Sequence, residues 1–176
     1  WSLGGHVVLE ASGRLPGAAG FFIYGAPPLS CPPAMASAFL PHPALSVALA
    51  AELSASQVEE FAAACFRPGV AEPHASFGAD IRRADPAARA ALGASLGPGG
   101  YLDEVAIVAS LHRPLAIVHG QHEQLVNLAY LRSLPVPTLW RGSVQLVPDS
   151  GHAPHWENPR AFDDLVSAFV SDCGRM

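Results

Sequence analysis

The chain has little charge. Of its 176 residues, 14% are charged, and the formal net charge is -5. The ten basic residues are scattered, with no run that could follow a phosphate backbone, so nucleic acid is not expected as a partner. No apolar stretch is long enough to cross a bilayer, so no membrane partner is expected either. Half of the residues are apolar, which excludes a disordered chain and suffices for the core of one domain.

Cysteine is also scarce. Cys31, Cys65 and Cys173 form no CxxC pair, and their wide spacing outlines no disulfide framework. We therefore expect free thiols and an intracellular, cytoplasmic protein.

An initiating methionine is missing as well. The chain opens on WSLGGHVVLEA, a serine followed by two glycines and an apolar run, which reads like the middle of a protein. The spacing predicts a helix from Leu3 to Gly13, with Gly13 as its C-cap. Ser2 lies directly before this helix.

Three short apolar runs predict buried strands: GFFIYG (20–25), RPLAIVHG (113–120) and SVQLVP (143–148). Prolines follow the first run, and helical signals cover 44–66, with a capping box from Ser56 to Glu59 and a loop at 67–78. We interpret residues 26–80 as a helical cap subdomain and residues 1–25 and 81–176 as an α/β core.

Helices are predicted between and after these strands. Asp85 and Pro86 form a cap and first helical position for a helix to about Leu96, and 101–111 is a second candidate. Asn158 and Pro159 begin a third, over 158–174, with an apolar stripe. Its members are Phe162, Leu165, Val166 and Phe169. Strands that alternate with helices predict an α/β fold with a parallel sheet.

Three chemically useful residues follow strand ends. Glu123 lies just past the strand at 113–120, His152 lies four residues past the strand at 143–148, and Ser2 lies where a preceding strand would end. Loops at the carboxyl ends of parallel strands form the sites of open α/β sheets. A serine becomes nucleophilic when an imidazole takes its proton, and a carboxylate orients that imidazole. The N–H of Leu3, at the start of the helix, would be one oxyanion donor.

At these residues the sequence resembles the α/β-hydrolases. WSLGGH, VHGQHEQLV and SGHAPHWENP resemble the nucleophile elbow, acid loop and histidine loop. GAPP, ADIRRADPAAR and the glutamate of GQHE are most similar to the α/β-hydrolase type of N-acyl-homoserine lactonase and to related esterases. The resemblance covers the family's C-terminal half and cap, and it implies hydrolysis of an ester or lactone through an acyl-enzyme.

The resemblance implies that Ser2 attacks, that His152 is the general base and then the general acid, and that Glu123 orients His152. Apolar and aromatic cap residues suit an apolar acyl chain or a small ester, so Phe39 and Phe61 are candidates for substrate contact. No metal and no organic cofactor is expected.

Alternatives exist for each residue. Ser2 could only cap the helix, Glu123 could be a solvated carboxylate, and His152 could bond a backbone carbonyl. His155 competes with His152, and Asp149 competes with Glu123. Two HxxH pairs could be drawn as a zinc site together with Glu123, but no HExxH motif is present.

A further expectation concerns the part of the fold before Ser2. The glycine expected two positions before the serine, the preceding strand and the second oxyanion donor are all absent from the sequence. We expect a missing N-terminal segment or a partner chain beside the strand at 20–25. The alternative function is therefore an inactive or structural half of a hydrolase.

Overall fold

One parallel sheet forms the centre of the computed structural model, which describes residues 1–70, 75–97 and 99–175. Its strands β1 (Phe21–Tyr24), β2 (Leu115–Gly120) and β3 (Gln145–Val147) lie in the order β1-β2-β3. Ile23 pairs with Ile117, and Gly120 pairs with Val147. Since β2 has a strand on each side and helices over both faces, all six of its residues are buried. The predicted parallel α/β sheet is confirmed.

Ten α-helices surround the sheet in the described part of the chain. They are α1 (Leu3–Ala11), α2 (Met35–Ala38), α3 (Ala44–Val47), α4 (Ala55–Ala64), α5 (Ala75–Arg83), α6 (Pro86–Ser95), α7 (Glu104–Ser110), α8 (Leu128–Ser133), α9 (Pro154–Glu157) and α10 (Pro159–Cys173). No described helix has the length and apolar character needed to cross a membrane. The three cysteines are free thiols.

The predicted helix starts at Asp85 and Asn158 are confirmed. Asp85 accepts a hydrogen bond from the Ala87 N–H (2.9 Å), and Asn158 accepts one from the Ala161 N–H (3.3 Å). Each side chain satisfies one of the donors that a helix start leaves unpaired. In the predicted stripe of α10, Phe162 and Phe169 are buried and packed edge-on against Phe22, while Leu165 and Val166 are half-buried.

Several predicted helix boundaries are wrong. The first helix ends at Ala11, and Gly13 lies in a 3₁₀ turn at Ser12–Arg14 instead of capping it. The helical region at 44–66 is two helices, α3 and α4. Its capping box joins Ser54 and Gln57, not Ser56 and Glu59.

The predicted loop at 67–78 and helix at 101–111 also differ from the structure. Residues 75–78 of that loop belong to α5, and 71–74 lie outside the described residues. Helix α7 begins only at Glu104, where Asp103 accepts from the Ala106 N–H. The glycine-rich segment GPGG (97–100) predicts an end to the helix that starts at Asp85, and its Pro98 lies outside the described residues. The proposed cap boundary at residue 80 falls within α5.

The sheet has a core on each face. On one face Leu9 of α1 and Val108 of α7 pack with Ile23, Leu115 and Ile117. On the other face, side chains of α10 cover Ala116, Val118 and Val147. This packing fixes α1 and the strand ends relative to one another, and the candidate residues lie on those elements.

Candidate active site

The loops that carry Glu123 and His152 leave neighbouring strand ends and are bonded to each other. The N–H of Gln121 donates to the Val147 carbonyl (2.9 Å), and the N–H of His122 donates to the Ser150 carbonyl (2.8 Å). Ser2 lies at the end of β1, where its own N–H donates to the carbonyl of Tyr24 (2.9 Å). All three predicted residues therefore lie at the carboxyl edge of the sheet.

Glu123 and His152 form a buried pair. The Glu123 Oε2 lies 2.8 Å from His152 Nδ1, and their side chains are 1% and 6% exposed. The other carboxylate oxygen accepts the N–H of Leu125 at 2.8 Å. Because an ionised carboxylate only accepts hydrogen bonds, the shared proton belongs on Nδ1, and the lone pair of Nε2 is left to act as a base.

The charge state of Glu123 follows from opposing effects. Burial tends to raise the pKa of its carboxyl group, but the His152 charge, the His152 hydrogen bond and the Leu125 N–H outweigh burial. The net effect lowers the pKa of Glu123 below its usual value. The group is therefore a carboxylate at neutral pH.

Ser2 has a strained backbone conformation, with φ 49° and ψ -126°. Few residues other than glycine adopt positive φ, and such strain clusters at functional sites. Its side chain makes no capping hydrogen bond to α1, although Ser2 occupies the N-cap position. Within the described residues, Ser2 Oγ makes no hydrogen bond to His152 either, and the Leu3 N–H has no acceptor.

Two contacts bring the Ser2 end of the chain to His152. The indole N–H of Trp1 donates to the His152 carbonyl at 2.8 Å, and the centroids of the two rings lie 5.7 Å apart.

Gly25, just past β1, leaves room for the His152 ring. Its φ is +62°, and a Cβ there would lie 2.6 Å from His152 Cε1. A side chain at this position would displace the imidazole.

Neither rival residue takes part in the Glu123–His152 hydrogen bond. Asp149 is exposed and, among the described contacts, its backbone carbonyl accepts a bond from Arg67 while its carboxylate makes none to His152. His155 packs against Trp1 (4.9 Å between ring centroids) and Tyr24 (5.3 Å). Burial lowers the pKa of His155 to about 4. His155 is therefore neutral near pH 7.

Two further groups lie near Glu123. His119 is 4% exposed, its Nδ1 has no partner in the described chain, and burial lowers its pKa. Burial and the Glu123 charge raise the pKa of Cys65 to about 12, so this thiol stays protonated. No group of three or more His, Cys, Asp or Glu side chains in the described ranges could hold a metal ion.

The two predicted substrate contacts lie in different surroundings. Phe39 forms an isolated antiparallel bridge with Val126, close to the Glu123 loop. It also lines an open cavity of about 380 Å³ with six other residues. Phe61 packs against Ala44, Ala64 and Leu125. Both roles stay predictions.

Sequence reasoning missed two acidic residues. Glu104 is 1% exposed and accepts from His6 Nδ1 (2.8 Å) and the Leu29 N–H (2.8 Å), which joins α7 to α1 and to the segment after β1. Glu157 accepts from the N–H groups of Arg67 and Gly151. The position of Glu157, five residues after His152 in the histidine loop motif, was the available signal for it.

Comparisons with known proteins find similarity among solved structures. No protein-family model matches the chain, and no curated protein matches it in sequence. Solved structures do match. The N-acyl homoserine lactonase AidH complexed with N-butanoyl homoserine is 31% identical, with a TM-score of 0.91 over 100% of this chain. A substituted form of AidH complexed with N-hexanoyl homoserine lactone is 30% identical, with the same TM-score and coverage.

A more distant match shares the fold alone. The esterase RhEst1 from a Rhodococcus species is 20% identical, with a TM-score of 0.70 over 97% of this chain. The chain spans 63% of the length of RhEst1 and of the first AidH structure, and 64% of the second. The resemblance expected from the sequence is confirmed at the level of the superfamily. With a parallel sheet, helices on both faces and a close structural match to a lactonase, the chain belongs to the α/β-hydrolase superfamily.

Proposed function

We propose that the protein hydrolyses carboxylic esters or lactones through an acyl-enzyme, with Ser2 as nucleophile, His152 as base and Glu123 as the orienting acid. The observation that carries the proposal is the buried 2.8 Å hydrogen bond between Glu123 and His152 Nδ1. The positive φ of Ser2, with no capping bond from its side chain, supports a role for the hydroxyl beyond helix capping.

In this mechanism His152 Nε2 takes the proton of Ser2 Oγ as the oxygen attacks the substrate carbonyl. The Leu3 N–H stabilises the oxyanion, and the helix start of α1 adds a favourable dipole. His152 then protonates the leaving alkoxide. With a lactone that alkoxide stays attached to the acyl group, so the ring opens on the enzyme. A water molecule, deprotonated by His152, then attacks the acyl carbonyl. The bond to Ser2 Oγ breaks, the serine oxygen takes the proton back from His152, and the acid is released.

For the substrate we propose N-acyl homoserine lactones and small apolar esters. AidH, at 30–31% identity, is named as a lactonase of that class. Residues 26–80 would be the cap, and Phe39, at a cavity edge near the Glu123 loop, would contact the acyl chain.

A fluorophosphonate probe tests the nucleophile in the full-length protein. We expect stoichiometric labelling that is lost in Ser2→Ala, since the probe forms a bond to an activated serine oxygen. Labelling that persists in Ser2→Ala would contradict the assignment. A kinetic panel of p-nitrophenyl esters and N-acyl homoserine lactones then separates esterase from lactonase activity.

A further inference from the structure

A short segment after α4 contacts both loops of the candidate site. The Phe66 carbonyl accepts a hydrogen bond from Gln124 Nε2 (2.7 Å), next to Glu123 in sequence. The Arg67 guanidinium Nη1 donates to the Asp149 carbonyl (2.7 Å), at the start of the loop that carries His152. Residues 66–67 therefore bridge the acid loop and the histidine loop.

The Glu157 carboxylate completes this bridge from the other side. Its Oε1 accepts the Arg67 N–H at 2.9 Å, and its Oε2 accepts the Gly151 N–H at 2.6 Å. Gly151 directly precedes His152. The backbones are in close contact here, because a Cβ on Gly151 would lie 2.5 Å from the Phe66 carbonyl carbon and 2.6 Å from the Arg67 nitrogen. One carboxylate thus holds two backbone donors that face each other.

We propose that Glu157 is a positioning residue for His152, which it holds by fixing the Gly151 amide against the segment 66–67. This inference rests on the proposed function, in which His152 is the base. Three independent contacts then restrain the histidine: Trp1 at its carbonyl, Glu123 at Nδ1, and Glu157 at the preceding peptide. Since residues 66–67 leave α4, movement of α4 would be transmitted to His152.

A carboxylate suits this position because it offers an acceptor on each oxygen. Glutamine of the same shape offers one acceptor, and its NH₂ group would face the other N–H. Glu157→Gln therefore leaves one backbone donor unpaired and loosens Gly151. Glu157→Asp keeps the charge and both oxygens but is one methylene shorter, so it cannot reach both donors.

The test compares Glu157→Gln and Glu157→Asp with the wild type in the full-length protein. Glu59→Gln, an exposed glutamate on α4, is the matched control. The first readout is the low-field proton NMR resonance of His152 Nδ1–H, shared with Glu123. The second is the separate measurement of kcat and KM on the best ester of the panel.

We expect the low-field resonance to shift or broaden in both Glu157 variants. We expect kcat to fall roughly 10- to 100-fold with KM little changed, because hydrogen bonds to charged groups are the strong ones. Glu59→Gln should match the wild type in both readouts. A general loss of stability would not alter this resonance in protein that remains folded.

An unchanged resonance in Glu157→Gln would overturn the proposal, even if kcat fell. A Glu157→Asp variant with the resonance and kcat of the wild type would also overturn it, because a negative charge without both hydrogen bonds would then be enough to position His152. A wild-type protein without the resonance would contradict the Glu123–His152 geometry on which the proposal depends. If the wild type shows the resonance but no turnover, the proposed function fails while the resonance comparison still decides the role of Glu157.

Discussion

Gly25 limits the side chains that can lie beside the candidate histidine. Its φ of +62° favours glycine, and a Cβ would lie within about 3 Å of three His152 ring atoms. We expect Gly25→Ala to lower kcat by about 10²-fold, because small displacements of a reacting group have effects of that size. Kinetics of the purified variant on the best ester would measure the loss.

The control is Gly142→Ala. Gly142 has nearly the same φ, +65°, but nothing lies within 4 Å of a Cβ built there. Both substitutions should cost about 1–2 kcal/mol of stability for an alanine at positive φ. Only Gly25→Ala should lower kcat. Equal activities for the two variants would show that the imidazole has room to move.

Glu123 and Asp149 give a second residue-level prediction. Glu123→Gln should lower kcat by roughly 10⁴-fold, as the comparable change does in serine proteases, because the amide no longer selects the Nδ1–H tautomer. Asp149→Asn should stay within about twofold of the wild type, since Asp149 is exposed. Steady-state kinetics with circular dichroism as a folding check would measure both. A crippled Asp149→Asn variant would reverse the assignment.

At this scale the sequence revealed the residues that follow strand ends and little else about the site. Glu123 and His152 were predictable because strand ends converge on one edge of a parallel sheet. The contacts of Glu157 and Glu104 were not, although the place of Glu157 in the histidine loop motif pointed to that residue. Their partners lie 90 and 98 residues away in sequence, Arg67 for the first and His6 for the second. Contacts between residues so far apart in the chain cannot be inferred from local sequence patterns.

Among the elements, the segment between β1 and β2 depends on Arg89 of α6. Its guanidinium donates to the carbonyls of Ala50 (2.9 Å), Ala51 (2.9 Å) and Ala84 (2.9 Å). We expect Arg89→Ala to lower the free energy of unfolding by about 1–3 kcal/mol. Arg89→Lys should recover little of it, because an ammonium cannot reproduce the planar fork of donors.

Urea unfolding would measure these changes, with Arg83→Ala as the control. Arg83 pairs with Asp80 on an exposed surface, so its loss should cost less than about 1 kcal/mol. Full recovery of stability in Arg89→Lys would mean that the positive charge, and not the planar set of guanidinium donors, holds these carbonyls together.

The elements that the sequence predicted best have strong local signals. Asn158-Pro159 starts α10 unambiguously, and β2 is a continuous apolar run. The start of α4 was ambiguous, because Ser54 and Ser56 each lie three residues before a Gln or Glu. In the structure the reciprocal hydrogen bonds form between Ser54 and Gln57, so the helix begins at Ala55. Spacing alone does not distinguish between the two possible starts.

For the whole molecule, histidines whose pKa is lowered on folding predict acid sensitivity. The pKa of His155 falls from 6.5 to about 4 on folding, so between these values the unfolded chain binds a proton that the native state does not. Stability therefore falls as pH drops below about 6.5. Glu123, whose pKa is lowered, contributes stability above about pH 4.5 that is lost as pH falls through its folded pKa.

The His155→Phe variant distinguishes the effect of His155 on the pH dependence of stability from the effect of Glu123. Phenylalanine keeps an aromatic ring among Trp1, Tyr24 and Phe162 but takes up no proton. We expect Tm to fall less between about pH 7 and about pH 5 in this variant than in the wild type. Part of the loss should remain, because burial also lowers the pKa of His119. Parallel Tm curves for variant and wild type would contradict the role of His155.

The position of Trp1 has an optical consequence. Its indole contacts the rings of His152, His155 and Phe77. Protonated imidazole quenches indole fluorescence more strongly than neutral imidazole does, so the emission of Trp1 carries information about the charge of its neighbours. Subtracting the spectrum of Trp1→Phe isolates that emission from Trp140 and Trp156. The protein thus contains an intrinsic fluorophore whose emission follows the charge of His155, without an added label.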